Sequence, residues 1–106
     1  MAAYAIGHLH DVDLGPAIVE YLERIDATLE PYGGRFAIHG AKADVREGDW
    51  SGDLAVIEFP DLDKARAWYD SPAYREIIPL RADHSRSTIL LIDGAGDDHR
   101  ATDVLA

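Results

Sequence analysis

A carboxylate inside an apolar strand, histidines on strands and an arginine beyond a cluster of aromatics are the parts of this chain equipped for chemistry. Glu58 lies in Val56-Ile57-Glu58-Phe59-Pro60 and shares a strand face with Leu54 and Val56. A carboxylate there must be paired, solvated at the strand end, or raised in pKa by burial. Raised, and beside His8 or His39, it would suit a general base in proton transfer. Its plainer role is an ion pair with Arg35 or Arg81. Arg81 follows Ile78-Pro79-Leu80, and a guanidinium can hold a carboxylate through two parallel hydrogen bonds. Its plainer role is a pair with Asp70 or Glu58. Trp68, Tyr69 and Tyr74 flank Ser71, where two short helices can leave a gap over a sheet. Aromatic walls with an arginine suit a small aromatic or carboxylate-bearing ligand, although aromatics at helical spacing also build cores. We therefore take His39 and Glu58 as candidate catalytic residues, and Trp68, Tyr74 and Arg81 as candidate substrate-binding residues.

Other sites are weaker. His8 and His10, two apart on a strand, put both rings on one face, and His39 or Glu58 could add ligands. The chain has no helical histidine pair, and two-residue spacing arises often by chance, so we assign no metal. His84 and His99 receive no role. Ser71 reads as a helix cap, without the histidine and acid that a nucleophile needs. No glycine-rich phosphate loop or nucleotide fingerprint appears, and no cofactor is called for.

The elements that must position these residues follow from periodicity. Ala3 to Leu9 has strand parity and apolar residues on both faces, as a central strand would. Asp11 and Asp13 are loop and N-cap candidates, and Pro16 suits a first helical turn. Ile18, Leu22, Ile25, Leu29 and Tyr32 then form one apolar helical stripe. Pro31 ends that helix and Gly33-Gly34 offers a left-handed cap. Arg35 to Gly40 alternates as a second strand. A long, charged connection with Trp50 near its tip folds back onto the sheet, or meets a ligand or a second subunit. Leu54 to Phe59 is the third strand. Asp61 caps a helix that buries Leu62, Ala65 and one of Trp68 and Tyr69. Ser71-Pro72 starts the next helix, which Pro79 limits. Ser87 to Asp93 is a fourth strand, apolar on both faces.

The order strand, helix, strand, strand, helix, strand predicts an α+β fold. It is the ferredoxin-like βαββαβ arrangement, a four-stranded antiparallel sheet with its helices on one face. Residues 1–93 form one domain and 94–106 a polar acidic tail. The face without helices would be a large apolar patch, which a second copy of the chain packing face to face would cover. We thus expect a homodimer. Twenty acidic residues against ten basic ones give a net charge of −10, and the basic residues are scattered, which argues against nucleic acid or an anionic membrane. With no cysteine there is no thiolate chemistry, no apolar run approaches a membrane span, and the expected location is the cytoplasm.

Tyr32-Gly33-Gly34-Arg35-Phe36, Glu47-Gly48-Asp49-Trp50, Val56-Ile57-Glu58-Phe59-Pro60 and Ala67-Trp68-Tyr69-Asp70-Ser71-Pro72-Ala73-Tyr74, with Ile78-Pro79-Leu80-Arg81, together resemble domain-of-unknown-function family 1330. The resemblance runs from Tyr4 to about Asp93 and implies membership of the dimeric α/β-barrel superfamily. That superfamily includes cofactor-independent monooxygenases, haem-degrading enzymes, muconolactone isomerase-like proteins and ligand-sensing domains, so fold alone does not select an activity. Three readings follow: a homodimeric, cofactor-independent enzyme performing isomerase- or monooxygenase-type chemistry by proton transfer on a small aromatic or carbonyl compound; a non-catalytic ligand-binding or accessory protein with the same pocket; or a dimer that contributes only an interaction surface.

Overall fold

In a computed structural model, which describes residues 1–105, the chain folds as β1 (Ala3–His10), α1 (Pro16–Leu29), β2 (Arg35–Ile38), β3 (Asp53–Phe59), α2 (Leu62–Asp70), α3 (Pro72–Ala82) and β4 (Arg86–Asp93). The strands form one antiparallel sheet in the order β2-β3-β1-β4, so β1 and β3 are central and β2 and β4 are edges. This is the ferredoxin-like arrangement. Short 3-10 turns at Glu30–Tyr32 and Ala101–Leu105 complete the secondary structure; Ala106, the last residue of the expected acidic tail, lies outside the described residues.

Strand parity divides the side chains between two faces. Ala3, Ala5 and Gly7 pair with Phe59, Ile57 and Ala55. Ala5, Ile57 and Phe59 join Tyr21, Ile25 and Leu29 of α1, Ala65 and Trp68 of α2, and Tyr74 and Ile77 of α3 in the core. The opposite face carries Tyr4, Ile6 and His8 against Glu58, Val56 and Leu54 on one side and Ile92, Leu90 and Thr88 on the other. No helix covers it. Leu90 and Ile92 are 43 % and 49 % exposed, so β4 is not buried on both faces as its composition suggested; an edge strand on an uncovered face has nothing above it.

The helix boundaries follow their punctuation with three corrections. Gly15, rather than Asp11 or Asp13, is the N-cap of α1, with Pro16 at the first position. Asp11 instead takes a left-handed backbone (φ 51°) and accepts a hydrogen bond from Arg86 at 2.6 Å. The buried stripe of α1 is Ile18, Tyr21, Ile25, Thr28 and Leu29, with Leu22 half-exposed, because steps of three and four fit either neighbour and tertiary contacts choose. Pro79 does not stop α3, which continues to Ala82; the exposed proline forfeits only the bond its own N–H would make to the Arg75 carbonyl, and its carbonyl still accepts from the Asp83 N–H at 3.0 Å. The expected second strand is also shorter, ending at Ile38 with a register shift after Phe36.

Two sharp turns fix the chain's path. Gly33 caps the turn after α1 at φ 69°, and at Gly34 an added Cβ would lie 2.7 Å from the Phe59 ring and 3.0 Å from Leu29, so only glycine lets the loop lie flat on the core. Ser71 serves both α2 and α3: its N–H donates to the Trp68 carbonyl at 3.1 Å, and its Oγ accepts from the Tyr74 N–H at 3.3 Å while donating to the same carbonyl at 2.7 Å. This double cap aims Trp68 and Tyr74 at each other, with ring centroids 4.0 Å apart and both side chains 1 % exposed. The gap expected at the helix break is therefore filled by the aromatics that flank it.

Candidate functional site

The space for a ligand lies under α1. A cavity of about 300 Å³ opens between that helix and the helix-covered sheet face. Its cause is side-chain size. Ala5, Gly7 and Ala55 on the central strands leave volume that larger residues would fill, and at Gly7 a Cβ would already sit 3.3 Å from Ile89. Ile18, Ile25, Ile57 and Phe36 give the walls an apolar surface. Leu14, Leu22, His39 and Gly40 line the cavity while exposed to solvent, which places its mouth between the start of α1 and the end of β2.

The inner end is polar. The Tyr21 and Tyr74 hydroxyls share a hydrogen bond at 2.7 Å, and the Arg81 guanidinium carbon lies 5.9 Å from the Tyr21 ring centroid. Arg81 donates through one Nη to Ser87 Oγ, is only 5 % exposed, and leaves its buried Nε without a partner. Burial pushes the Tyr21 hydroxyl far above the usual tyrosine range, and Tyr74 adds to the shift while the Arg81 charge opposes it; Tyr21 is a neutral donor at any physiological pH. Burial works against the Arg81 charge, and the Tyr74 and Tyr21 oxygens more than offset it. Nearby, the Trp68 indole N–H donates to Thr28 Oγ1 at 3.0 Å, which in turn donates to the Ile25 carbonyl at 2.6 Å, so Trp68 contributes a fixed wall.

Of the five residues singled out by sequence, His39, Trp68, Tyr74 and Arg81 line this one cavity. Glu58 does not. It sits on the opposite face of the sheet, where Arg35 donates to its carboxylate at 2.9 Å. Strand parity enforces the separation, since Ile57 and Phe59 on either side of it point into the core. Arg81 pairs with neither Glu58 nor Asp70. The exposed Arg35–Glu58 bridge is worth about 0–1 kcal/mol. Glu58→Gln should therefore melt with the parent protein, and a large loss in thermal denaturation would show that the carboxylate has a role beyond this pair.

His39 stacks on Phe36 at the cavity mouth, with centroids 4.2 Å apart. His8 and His10 lie at the other sheet face with ring centroids 4.1 Å apart, and Trp50 folds back to stack on His8 at 4.3 Å while His8 Nε2 bonds the Ser51 carbonyl at 2.7 Å. Among the described residues no three histidine or acidic side chains gather as a metal site would require. Sequence reasoning missed Tyr21; the available signal was a tyrosine one position before Leu22 of the apolar stripe.

The profile of the family described as "Domain of unknown function (DUF1330)" matches residues 2–95. No curated protein matches the chain. Among solved structures, a dimeric ferredoxin-like protein of unknown function from Jannaschia sp. CCS1 superposes with a TM-score of 0.67 at 14 % identity, covering 89 % of this chain and 100 % of that one. The RPA0582 protein of unknown function from Rhodopseudomonas palustris gives 0.64 at 16 % identity, covering 91 % and 84 %. A variant of SnoaB, a cofactor-independent oxygenase from Streptomyces nogalater, gives 0.60 at 17 % identity, covering 93 % and 98 %. At these identities the likeness is one of fold. Among the described residues no helix is long and apolar enough to cross a membrane.

Proposed function

The chain belongs to the DUF1330 family, and we propose that it binds a small aromatic or carbonyl compound in the cavity under α1 and transfers a proton on it. The observation that carries this reading is an apolar cavity of about 300 Å³ that ends on two tyrosine hydroxyls and a buried arginine. Such a cavity desolvates an aromatic body while a few convergent donors fix its oxygen. Tyr21, Tyr74 and Arg81 hold that oxygen and stabilise the negative charge that reaches it by conjugation when a ring carbon at the far end of a two- or three-ring body gives up its proton. His39, at the mouth and in contact with solvent, accepts the proton and returns it. Fold analogy is consistent with this reading, since SnoaB is an oxygenase that works without a cofactor.

One observation favours a second reading. His39 follows β2 and Arg81 precedes β4, at opposite edges of the sheet and roughly 14 Å apart by strand spacing. A one-ring compound held by Arg81 does not reach His39, and for such a ligand the protein is a non-catalytic binder. We further propose that the working form is a homodimer in which two uncovered sheet faces pack together, burying Ile6, Leu90 and Ile92.

Native mass spectrometry of the freshly purified protein, followed by calorimetric titration with one- to three-ring aromatic ketones and phenols, tests the pocket. Binding should weaken about tenfold or more in Leu22→Trp, which narrows the mouth. Deuterium uptake at the ring carbon conjugated with the carbonyl and farthest from it should vanish in His39→Gln while binding persists. Uptake unchanged in His39→Gln would leave a binder, and absence of any co-purifying or added ligand at millimolar concentration would end the proposal.

A further inference from the structure

A guanidinium removed from water normally comes with a carboxylate, because an unpaired charge is strongly disfavoured in a buried site. Arg81 has none. Its side chain is 5 % exposed, and among the described residues every ion pair involves other groups. It donates to Ser87 Oγ and lies over the Tyr21 ring with the Tyr74 and Tyr21 oxygens nearby, all neutral groups, and its buried Nε is unpartnered. Tyr21, kept protonated, supplies a dipole and no counter-charge. The charge thus faces a mainly apolar cavity with spare donor capacity, and the one acid in the cavity lining, the exposed Asp53, forms no ion pair with it.

We infer that the missing counter-ion is the ligand: the pocket selects organic monoanions, an apolar ring or chain bearing one carboxylate, with the carboxylate seated on Arg81 Nε and the Tyr21–Tyr74 hydroxyl pair. The inference rests on the pocket reading above and narrows its ligand class. Size agrees with it, since the cavity accommodates an aromatic acid, while its Ala, Ile and Phe lining offers nothing to a polyanion such as a nucleotide. The acidic surface, net −10, disfavours multiply charged anions for the same reason.

Benzoate and nitrobenzene test it, having the same shape and different charge. Wild-type protein should bind benzoate about tenfold to a hundredfold more tightly than nitrobenzene, the range expected of a charge-assisted hydrogen bond. Arg81→Met should abolish that preference and raise the melting temperature of the ligand-free protein by about 4 °C or more, because a volume-conserving apolar residue removes a buried charge that has no counter-ion. Equal binding of the two probes to wild type would keep the pocket and overturn the anion. No binding of either would overturn the pocket and the anion together. An Arg81→Met protein that melts lower or fails to fold would make Arg81 a structural residue, which also refutes the inference.

Discussion

Trp68→Ala will cost the fold about 3–5 kcal/mol, the range for emptying a fully buried large aromatic site. The indole is 1 % exposed, lies 4.0 Å from the Tyr74 ring and 5.4 Å from Phe59 between centroids, and donates to Thr28. Its loss joins a new void to the existing cavity and removes the wall against which Tyr74 is held. Since a domain of this size has about 5–15 kcal/mol of stability in all, the variant should be partly unfolded at physiological temperature. Trp68→Phe keeps most of the packing and loses the indole hydrogen bond, and should cost about 1–2 kcal/mol. Urea denaturation of the pair measures both. A loss below about 1 kcal/mol for the alanine variant would contradict the packing of α2 and α3 described here.

The proposed dimer makes the second large prediction. Leu90 is 43 % exposed and pairs with Ile6 on β1, so Leu90→Asp places a charge on the uncovered face while leaving the helix-side core untouched. The single subunit should fold normally. In a twofold sheet-to-sheet interface the charge is buried twice, at about 2 kcal/mol or more each, which raises the dissociation constant about a thousandfold. Sedimentation velocity at micromolar concentration should show a dimer for the parent protein and a folded monomer for the variant. A parent protein that sediments as a monomer would dispose of the dimer, and a variant that stays dimeric would move the interface elsewhere.

The Arg35–Glu58 pair and the Tyr21–Tyr74–Arg81 cluster illustrate two different levels of legibility. Parity along β3 already separates Glu58 from Ile57 and Phe59, and Arg35 precedes the apolar residues of β2, so the bridge between them was one of the expected pairings. Ser71 was legible too, since a serine before proline at a helix restart has few other uses, and its cap bonds form as expected. By contrast, Tyr21 and Tyr74 are 53 positions apart, and nothing local to either announces the other. The choice between Tyr21 and Leu22 as the buried residue of α1 was equally open, because a helical stripe is wide enough to admit both and only the partner across the core decides.

Glu58 and Arg81 bound one stretch of chain, and from sequence they could be a salt bridge or the two ends of a site. They are neither, because a strand turns alternate residues to opposite faces and the two helices between them carry Arg81 to the covered side. Local patterning by itself determined the element order, the caps at Gly33 and Ser71 and the presence of an uncovered apolar sheet face, since each depends on neighbours within a few residues. Only the tertiary structure decided that the helix break is closed by Trp68 and Tyr74, that the open volume lies under α1 above Ala5, Gly7 and Ala55, and that Arg81 is buried with no acid beside it. A cavity and an unpaired charge are properties of what several distant segments leave empty, and no one segment encodes them.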